Sequence, residues 1–360
     1  MQAPAGMLTP TLRFMLMFAA TVIIIAGLKA SADMIAPFIL SSFIVVISGP
    51  PLFWLRRRGV PTGLAITLVM LLIISMTAGV AAIVSSSLAG FSAALPDYRN
   101  SLQNAVSNVF AWLGLHGIDL TASWVMQYLD PSTAMDLAAN TVSGFGNVLT
   151  NSFLILLTVI FMLLEVSSFP NKLSALSRDP ERTMARYQRF IDTLKDYMAM
   201  KTLMSLLTGF GVTLWLWGLG VDFAALWGLL AFFLNYVPNI GSIIAAVPAV
   251  LLAFVQLGSS SALLAAAGYV FLNTVIGNFI EPRLMGRGLG LSTLVVFLSL
   301  VFWGWVLGPV GMLLSVPLTM TLKIALEGNE ETRWLAVILG SERDYLLPAE
   351  PHPANPEQQP

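Results

Sequence analysis

The stretch of the chain between Lys201 and Glu281 contains a single charged residue, Asp222. A water-soluble domain needs charge over its surface, and about a quarter of the residues in such domains are charged. Over the whole chain of 360 residues only 10% are charged, whereas 57% are hydrophobic. Apolar runs of this length are typical of helices that cross a lipid bilayer. The sequence therefore predicts an all-α, polytopic membrane protein whose helices contact the lipid bilayer.

Two of the apolar runs are interrupted by proline and glycine. The first interruption contains Asn235, Pro238, Asn239 and Gly241, and the second contains Gly308, Pro309 and Gly311. Proline removes a backbone donor and glycine permits a tight turn, so each run is predicted to be a broken helix. Irregular backbone at membrane depth is tolerated only where protein buries it or where it lines a cavity. Paired interruptions of this kind indicate the substrate site of a transporter.

The lengths of the broken segments leave two topologies open. The half-helix before the first break, residues 223–236, spans roughly 21 Å, which is less than the roughly 30 Å of a hydrocarbon core. Short halves favour two broken or re-entrant helical hairpins, near Pro238 and Pro309, among about six to eight transmembrane helices. If every segment crosses instead, there are about ten crossings. In the hairpin topology the tips enter from opposite sides, and we expect them to meet near the middle of the membrane.

Clusters of basic residues orient the chain in the membrane. Arg56–Arg58 directly follow one apolar run, and seven basic residues against four acidic ones lie between Lys172 and Lys201. The positive-inside rule predicts that both segments are cytoplasmic, together with Arg283 and the two termini. A contact with lipid head groups is an alternative role for the three arginines.

Changes in hydropathy divide the chain into five segments. Residues 1–89 are predicted to form N-terminal transmembrane helices, 90–144 an extracytoplasmic amphipathic helical segment, 145–201 a fourth span with a cytoplasmic basic helix, 202–327 a transport core with the two broken hairpins, and 328–360 a cytoplasmic helix with a proline-rich tail. Residues 90–144 could cap the bundle or contact another subunit. The small residues at Ala30–Ala32 leave a cleavable signal peptide open, but the next apolar run begins at once, which favours a retained span.

Neutral polar residues surround the breaks and are the candidate substrate-binding groups. They are Asn235, Asn239, Asn273 and Asn278. Burying an unpaired amide in hydrocarbon costs a few kcal/mol, so either a solute or a hydrogen bond between helices must satisfy these groups. Since no carboxylate lies deep in this region, a neutral or weakly polar solute, or an ion held by carbonyls, fits best.

The candidate coupling or gating residues lie at the predicted margins of the apolar spans. Glu281 is the first choice, because Arg283 can pair with it and Pro282 fixes the local turn; Asp222, in a predicted outer turn, is a further candidate. The alternative is that both carboxylates only mark the membrane boundary.

Several classes of function are disfavoured. The chain has no cysteine and two histidines, so neither a metal site nor a cofactor is expected. We expect no enzyme, because no nucleophile has a base in a recognisable arrangement. A net charge of −1 gives no reason to expect binding to nucleic acid. A membrane scaffold is a further alternative, but a scaffold has no use for costly broken helices.

Three motifs together resemble a known family. They are Asn235–Gly241 with the later Val247-Pro248, the segment Asn278–Gly286 containing Glu281-Pro282, and Gly308–Gly311 with Val316-Pro317-Leu318. This pattern is similar to the autoinducer-2 exporter family, also described as PerM-like permeases. The resemblance implies a homo-oligomeric, multi-pass permease of the bacterial inner membrane. It also implies export of a small solute such as autoinducer-2 by alternating access, or Na⁺(Li⁺)/H⁺ antiport as the alternative.

Overall fold

The computed structural model describes residues 9–115, 152–166, 169–176, 179–238, 240–285, 290–328 and 330–341, and all regular elements in these ranges are helices. The first six helices are α1 (Pro10–Ala30), α2 (Ala32–Arg57), α3 (Thr62–Leu115), α4 (Ser152–Glu165), α5 (Phe169–Leu176) and α6 (Pro180–Leu219). They are followed by α7 (Ala224–Leu234), α8 (Gly241–Leu257), α9 (Ser259–Asn273), a π-helix (Thr274–Ile280), α10 (Glu281–Met285), α11 (Thr293–Leu313), α12 (Ser315–Glu327) and α13 (Arg333–Leu339).

Within the described ranges, five stretches of helix are long and apolar enough to cross a membrane. They are Ala32–Arg57, Thr62–Tyr98, Pro180–Leu219, Ser259–Leu284 and Thr293–Leu313, and four shorter apolar helices accompany them. Many of their large hydrophobic side chains point outward; Phe14, Leu263 and Trp217 are examples. In water such a surface would be costly, whereas in lipid it is expected. The prediction of an all-α polytopic membrane protein is confirmed.

Two helices pass without interruption through boundaries that the hydropathy suggested. Helix α3 has 54 residues and continues across position 89 to Leu115, although Pro96 lies inside it. Residues 116–144 of the amphipathic segment and 145–151 of the predicted fourth span lie outside the described residues. Helix α6 has 40 residues and joins the basic segment to the following span. Its start is fixed by local chemistry, because Asp179 accepts a hydrogen bond from the Arg182 amide and Pro180 occupies the first turn.

The first broken run is a helical hairpin whose ends lie side by side. Helix α7 leads to the break and α8 leads back, so that the Asp222 amide before α7 donates a hydrogen bond to Gln256 Oε1 near the end of α8, over 3.0 Å. Helix α7 packs on α6 through two glycines. A Cβ at Gly209 would come within 2.7 Å of the Gly228 carbonyl oxygen, so the two backbones are in direct contact.

The second broken run also folds back on itself. Helix α11 bends at Gly308, whose φ of 66° lies in the left-handed region, and α12 returns beside it. At the open end, Lys323 Nζ donates to the Gly290 carbonyl over 2.6 Å. Within the hairpin, Trp303 Nε1 donates to Thr319 Oγ1, and Thr319 donates in turn to Ser299.

The two hairpin tips pack in different buried clusters. Leu230 and Ala245 of the first hairpin share a cluster with side chains of α3 and of the distal half of α6. Leu314 and Val316 of the second share another cluster with α2 and with Met198 of α6. The sequence predicts, for the hairpin topology, that the tips meet near the middle of the membrane. The two hairpins pack in separate buried clusters, and both clusters include side chains of α6.

Candidate functional site

The first break, residues 235–240, is a compact turn with its own hydrogen bonds. The Val237 amide donates to the Leu234 carbonyl over 2.9 Å, and the Gly241 amide donates to the Val237 carbonyl over 3.3 Å. A Cβ at Gly241 would overlap the Leu234 carbonyl oxygen. Position 241 therefore needs glycine for a close approach of the backbone. Pro238 is half-buried in this turn, and Asn239 lies outside the described residues.

The turn packs beside three polar residues of α6. We call these residues, Lys201, Thr202 and Ser205, the polar strip. Asn235 Nδ2 donates to Ser205 Oγ over 3.0 Å. The Tyr236 hydroxyl lies 2.7 Å from Thr202 Oγ1. Since Ser205 is fully buried, its hydrogen bond to Asn235 satisfies a hydroxyl that water does not reach.

The third member of the polar strip makes a buried ion pair. Lys201 Nζ lies 2.9 Å from Glu281 Oε1, and the two side chains are only 8% and 19% exposed. Burying two charges is costly, and the cost is offset only when the charges stay paired. The pair therefore couples α6 to the start of α10. The expected partner of Glu281 was Arg283; the structure shows Lys201 instead, and Arg283 is exposed.

The π-helix Thr274–Ile280 directly precedes Glu281 and helps to orient its side chain toward Lys201. A π-helix holds an extra residue in its turn, so the side chains after it are rotated by about 100° relative to an uninterrupted α-helix. Such turns are frequent at functional sites. Pro282 has no amide hydrogen and follows directly in the first turn of α10. The candidate Asn278 on the π-helix is exposed. Asn273 donates to the Tyr269 carbonyl of its own helix over 2.8 Å.

A buried tyrosine links the polar strip to the second hairpin. Tyr197 is 6% exposed and shares a buried cluster with Leu314 and Val316 of the second tip. Tyr197 precedes Lys201 by about one helical turn. The side of α6 that carries Lys201 therefore also packs against the second hairpin.

Asp222 lies at the opposite end of the first hairpin and ties three helices together. Its Oδ2 accepts a hydrogen bond from the Tyr98 hydroxyl of α3 over 2.9 Å, and its carbonyl accepts from Trp227 Nε1 over 3.0 Å. Phe223 follows with a φ of 56°, which is unusual for a bulky residue, and its ring meets Phe91 edge-on. These contacts make Asp222 an anchor of the open end of the hairpin, away from the polar strip.

This anchor gives the first testable prediction. Tyr98→Phe removes one hydrogen bond to a carboxylate, and we expect a loss of about 2 kcal/mol in the free energy of unfolding. Thermal unfolding in detergent measures the change. Tyr187→Phe, at a partly exposed site, is the control and should leave the melting temperature unchanged. Equal melting temperatures for the two variants would contradict the anchoring role.

The second tip is apolar in comparison with the first. Gly311 is buried, and a Cβ there would overlap the Trp303 carbonyl oxygen, whereas Pro309 is exposed. Outside the tip, the Lys29 ammonium of α1 lies 3.8 Å from the centre of the Trp305 ring. The predicted residues Gly308, Pro309 and Gly311 therefore form a bend that is separate from the polar strip.

Sequence reasoning missed Lys201, Thr202, Ser205, Tyr197 and Tyr236 as site residues. Lys201 was counted with the basic segment before the span, although it is 7% exposed. A usable signal was present, because Lys201 and Glu281 are the two opposite charges that delimit the nearly uncharged stretch. Among the residues that the structure describes, no cluster of three or more His, Cys, Asp or Glu could hold a metal ion.

Comparison with known proteins agrees with this architecture. The model of the AI-2E family of transporters matches residues 14–329. The chain is 46% identical over 328 residues to the AI-2 transport protein TqsA of Escherichia coli K12, covering 91% of this chain and 95% of the relative. It is 37% identical over 332 residues to YhhT of the same organism, which is also named as a transport protein, covering 92% and 95%. The broken helical hairpins thus belong to a transporter, and the chain is a membrane-embedded member of the AI-2E transporter family.

Proposed function

We propose that this transporter exports a small, weakly polar solute across the bacterial inner membrane by alternating access. The observation that carries the proposal is the hydrogen bond between Asn235 of the first break and Ser205 of the polar strip, about one helical turn after Lys201 of the buried ion pair. Broken helices flanked by buried polar groups are the usual form of a transport site. Under the positive-inside rule, Arg56–Arg58 and the basic start of α6 support a cytoplasmic position for that end of the bundle and for both termini.

The chemistry of the strip favours a solute with hydroxyl groups. Amide and hydroxyl side chains both donate and accept hydrogen bonds, so a solute can replace the Asn235–Ser205 bond without leaving a polar group unpaired. The Lys201 charge of the strip is already paired with that of Glu281. The name of the relative TqsA supports an autoinducer-2-like signal as this solute.

The ion pair supplies a means of coupling transport to protons. Protonation of Glu281 would leave the Lys201 ammonium buried without its partner, which favours a conformation that opens the strip to water. The same titratable pair favours the second candidate function, Na⁺(Li⁺)/H⁺ antiport. We further propose that the protein acts as a homo-oligomer, as the family resemblance implies.

Transport in reconstituted vesicles tests these proposals. We expect autoinducer-2 flux that responds to an imposed pH gradient. In Asn235→Ala this flux should fall at least about tenfold, because the variant loses both an amide that binds the solute and the hydrogen bond to Ser205. Asn278→Ala is the matched control, since this asparagine is exposed, and it should transport like the wild type.

Three outcomes of this experiment separate the alternatives. Flux of autoinducer-2 with the expected difference between the two asparagines supports export. Proton-coupled sodium flux without autoinducer-2 flux favours the antiporter. Equal loss in Asn235→Ala and Asn278→Ala would overturn the assignment of the strip as the transport site.

A further inference from the structure

A cavity of about 410 Å³ lies away from both hairpin tips, between the end of α2, the start of α3, the end of α4 and the basic half of α6. This volume is in the range of sites for small organic molecules. The cavity is at the end of the bundle that carries Arg56–Arg58, which we assign to the cytoplasmic face. It therefore lies at the level of lipid head groups and not at the level of the transport site.

The cavity has one apolar side and one charged side. The apolar wall is formed by aliphatic side chains, namely Val45, Val46, Leu52, Ile66, Leu163 and Val166. On the charged side, Arg56 and Lys195 line the cavity together with Asp192. Two cations against one anion leave a net positive charge. The Asp192 side chain is 70% exposed and 3.7 Å from Lys195, so water screens much of its charge.

Two prolines near the end of α2 leave backbone carbonyls without their usual amide donor. Pro50 and Pro51 lie inside the helix, and neither has an amide hydrogen to donate to the carbonyls of Val46 and Ile47, four residues earlier. Of these two residues, Val46 lines the cavity. Gly49 leaves room for the Lys195 stem, whose Cε would lie 3.6 Å from a Cβ at that position. The Lys195 Nζ lies 5.1 Å from the centre of the Phe53 ring.

We propose that this cavity binds an anionic phospholipid by its head group and the first methylenes of an acyl chain. Arg56 and Lys195 match the phosphate in charge, and the aliphatic wall matches the chain. A head group with hydroxyls can also donate to the carbonyls that the prolines leave without an amide donor. Inorganic phosphate fits less well, because the aliphatic wall gives it nothing to replace its hydration.

The proposal predicts stabilisation by one class of lipid. Purified full-length protein is mixed with phosphatidylglycerol, phosphatidylethanolamine or inorganic phosphate, and thermal unfolding and native mass spectrometry are recorded. We expect phosphatidylglycerol alone to raise the melting temperature by about 4 °C or more and to remain bound in the mass spectrum. In the double variant Arg56→Gln/Lys195→Gln the shift should fall by more than half.

Two further variants make the result specific to the cavity. Arg57→Gln removes the same charge from an exposed neighbour that does not line the cavity, and it should keep most of the lipid shift. Gly49→Leu fills the cavity without changing charge, and it should abolish the shift. An equal loss in Arg57→Gln, or an undiminished shift in Gly49→Leu, would mean that the lipid binds the basic surface only. An equal shift with inorganic phosphate would overturn the lipid as the occupant.

Discussion

Lys201→Met should lower the free energy of unfolding by about 3 kcal/mol. The substitution keeps the volume of the side chain but leaves the Glu281 carboxylate 19% exposed and without its partner. Breaking a buried ion pair from one side is strongly destabilising, whereas replacing both partners by neutral groups is often harmless. The double variant Lys201→Met/Glu281→Gln should therefore recover most of the lost stability. Denaturant titration in detergent measures the free energy of unfolding of the wild type, the two single variants and the double variant, which together form a double-mutant cycle.

The chain offers a matched control for this cycle. Lys172 and Glu165 form another ion pair, but their side chains are 64% and 56% exposed. Because exposed pairs contribute little, Lys172→Met should change stability by less than about 1 kcal/mol. Equal effects of Lys201→Met and Lys172→Met, or no recovery in the double variant, would show that the buried pair does not hold α6 to α10.

The transport measurement separates coupling from stability. Glu281→Gln cannot change its charge, so its flux should not respond to a pH gradient even at temperatures where the variant is fully folded. A gradient response equal to that of the wild type would assign the coupling proton to another group.

Gly241→Ala should abolish transport while costing about 2–3 kcal/mol of stability. The added Cβ would overlap the Leu234 carbonyl oxygen, so the turn must open and Asn235 must move away from Ser205. Gly311→Ala should have a similar cost at the second tip, where the overlap is with the Trp303 carbonyl oxygen. Thermal unfolding and vesicle flux, measured on the same preparations, test both.

Gly218→Ala is the control for these substitutions. Nothing lies within 4 Å of a Cβ at that position in α6. Alanine should stabilise the helix by up to about 1 kcal/mol and leave flux unchanged. If Gly241→Ala and Gly218→Ala transport equally well, the close approach at the first break is not needed for function.

The sequence was sufficient for the class of fold and for the two hairpins, because both depend on local chemistry. A near absence of charge indicates a lipid environment, and the combination of proline and glycine at Pro238–Gly241 and at Gly308–Pro309 interrupts a helix locally. The start of α6 was predictable for the same reason, since Asp179 and Pro180 act within one turn. Predictions of this kind need no knowledge of which helices are neighbours.

The sequence did not predict the ion pair or the π-helix, because both depend on contacts between residues that are far apart in the sequence. Lys201 and Glu281 are 80 residues apart, and hydropathy alone does not show that two charges at the ends of an apolar stretch meet. A π-turn has the same composition as an α-turn, and packing decides between them. The continuity of α3 was missed because a fall in hydropathy changes the surroundings of a helix but does not end it.

The length of α6 and its packing against α7 mean that a small tilt of α6 moves the first hairpin. Its 40 residues span roughly 60 Å, about twice the thickness of a hydrocarbon core. Because Gly209 and Gly228 bring the backbones of α6 and α7 into contact, α7 cannot slide along α6 and must follow its tilt. A tilt of about 5° over this length moves one end by about 5 Å relative to the other. A displacement of the basic end of α6 would thus be transmitted to the first hairpin, even if the lipid-facing helices do not move.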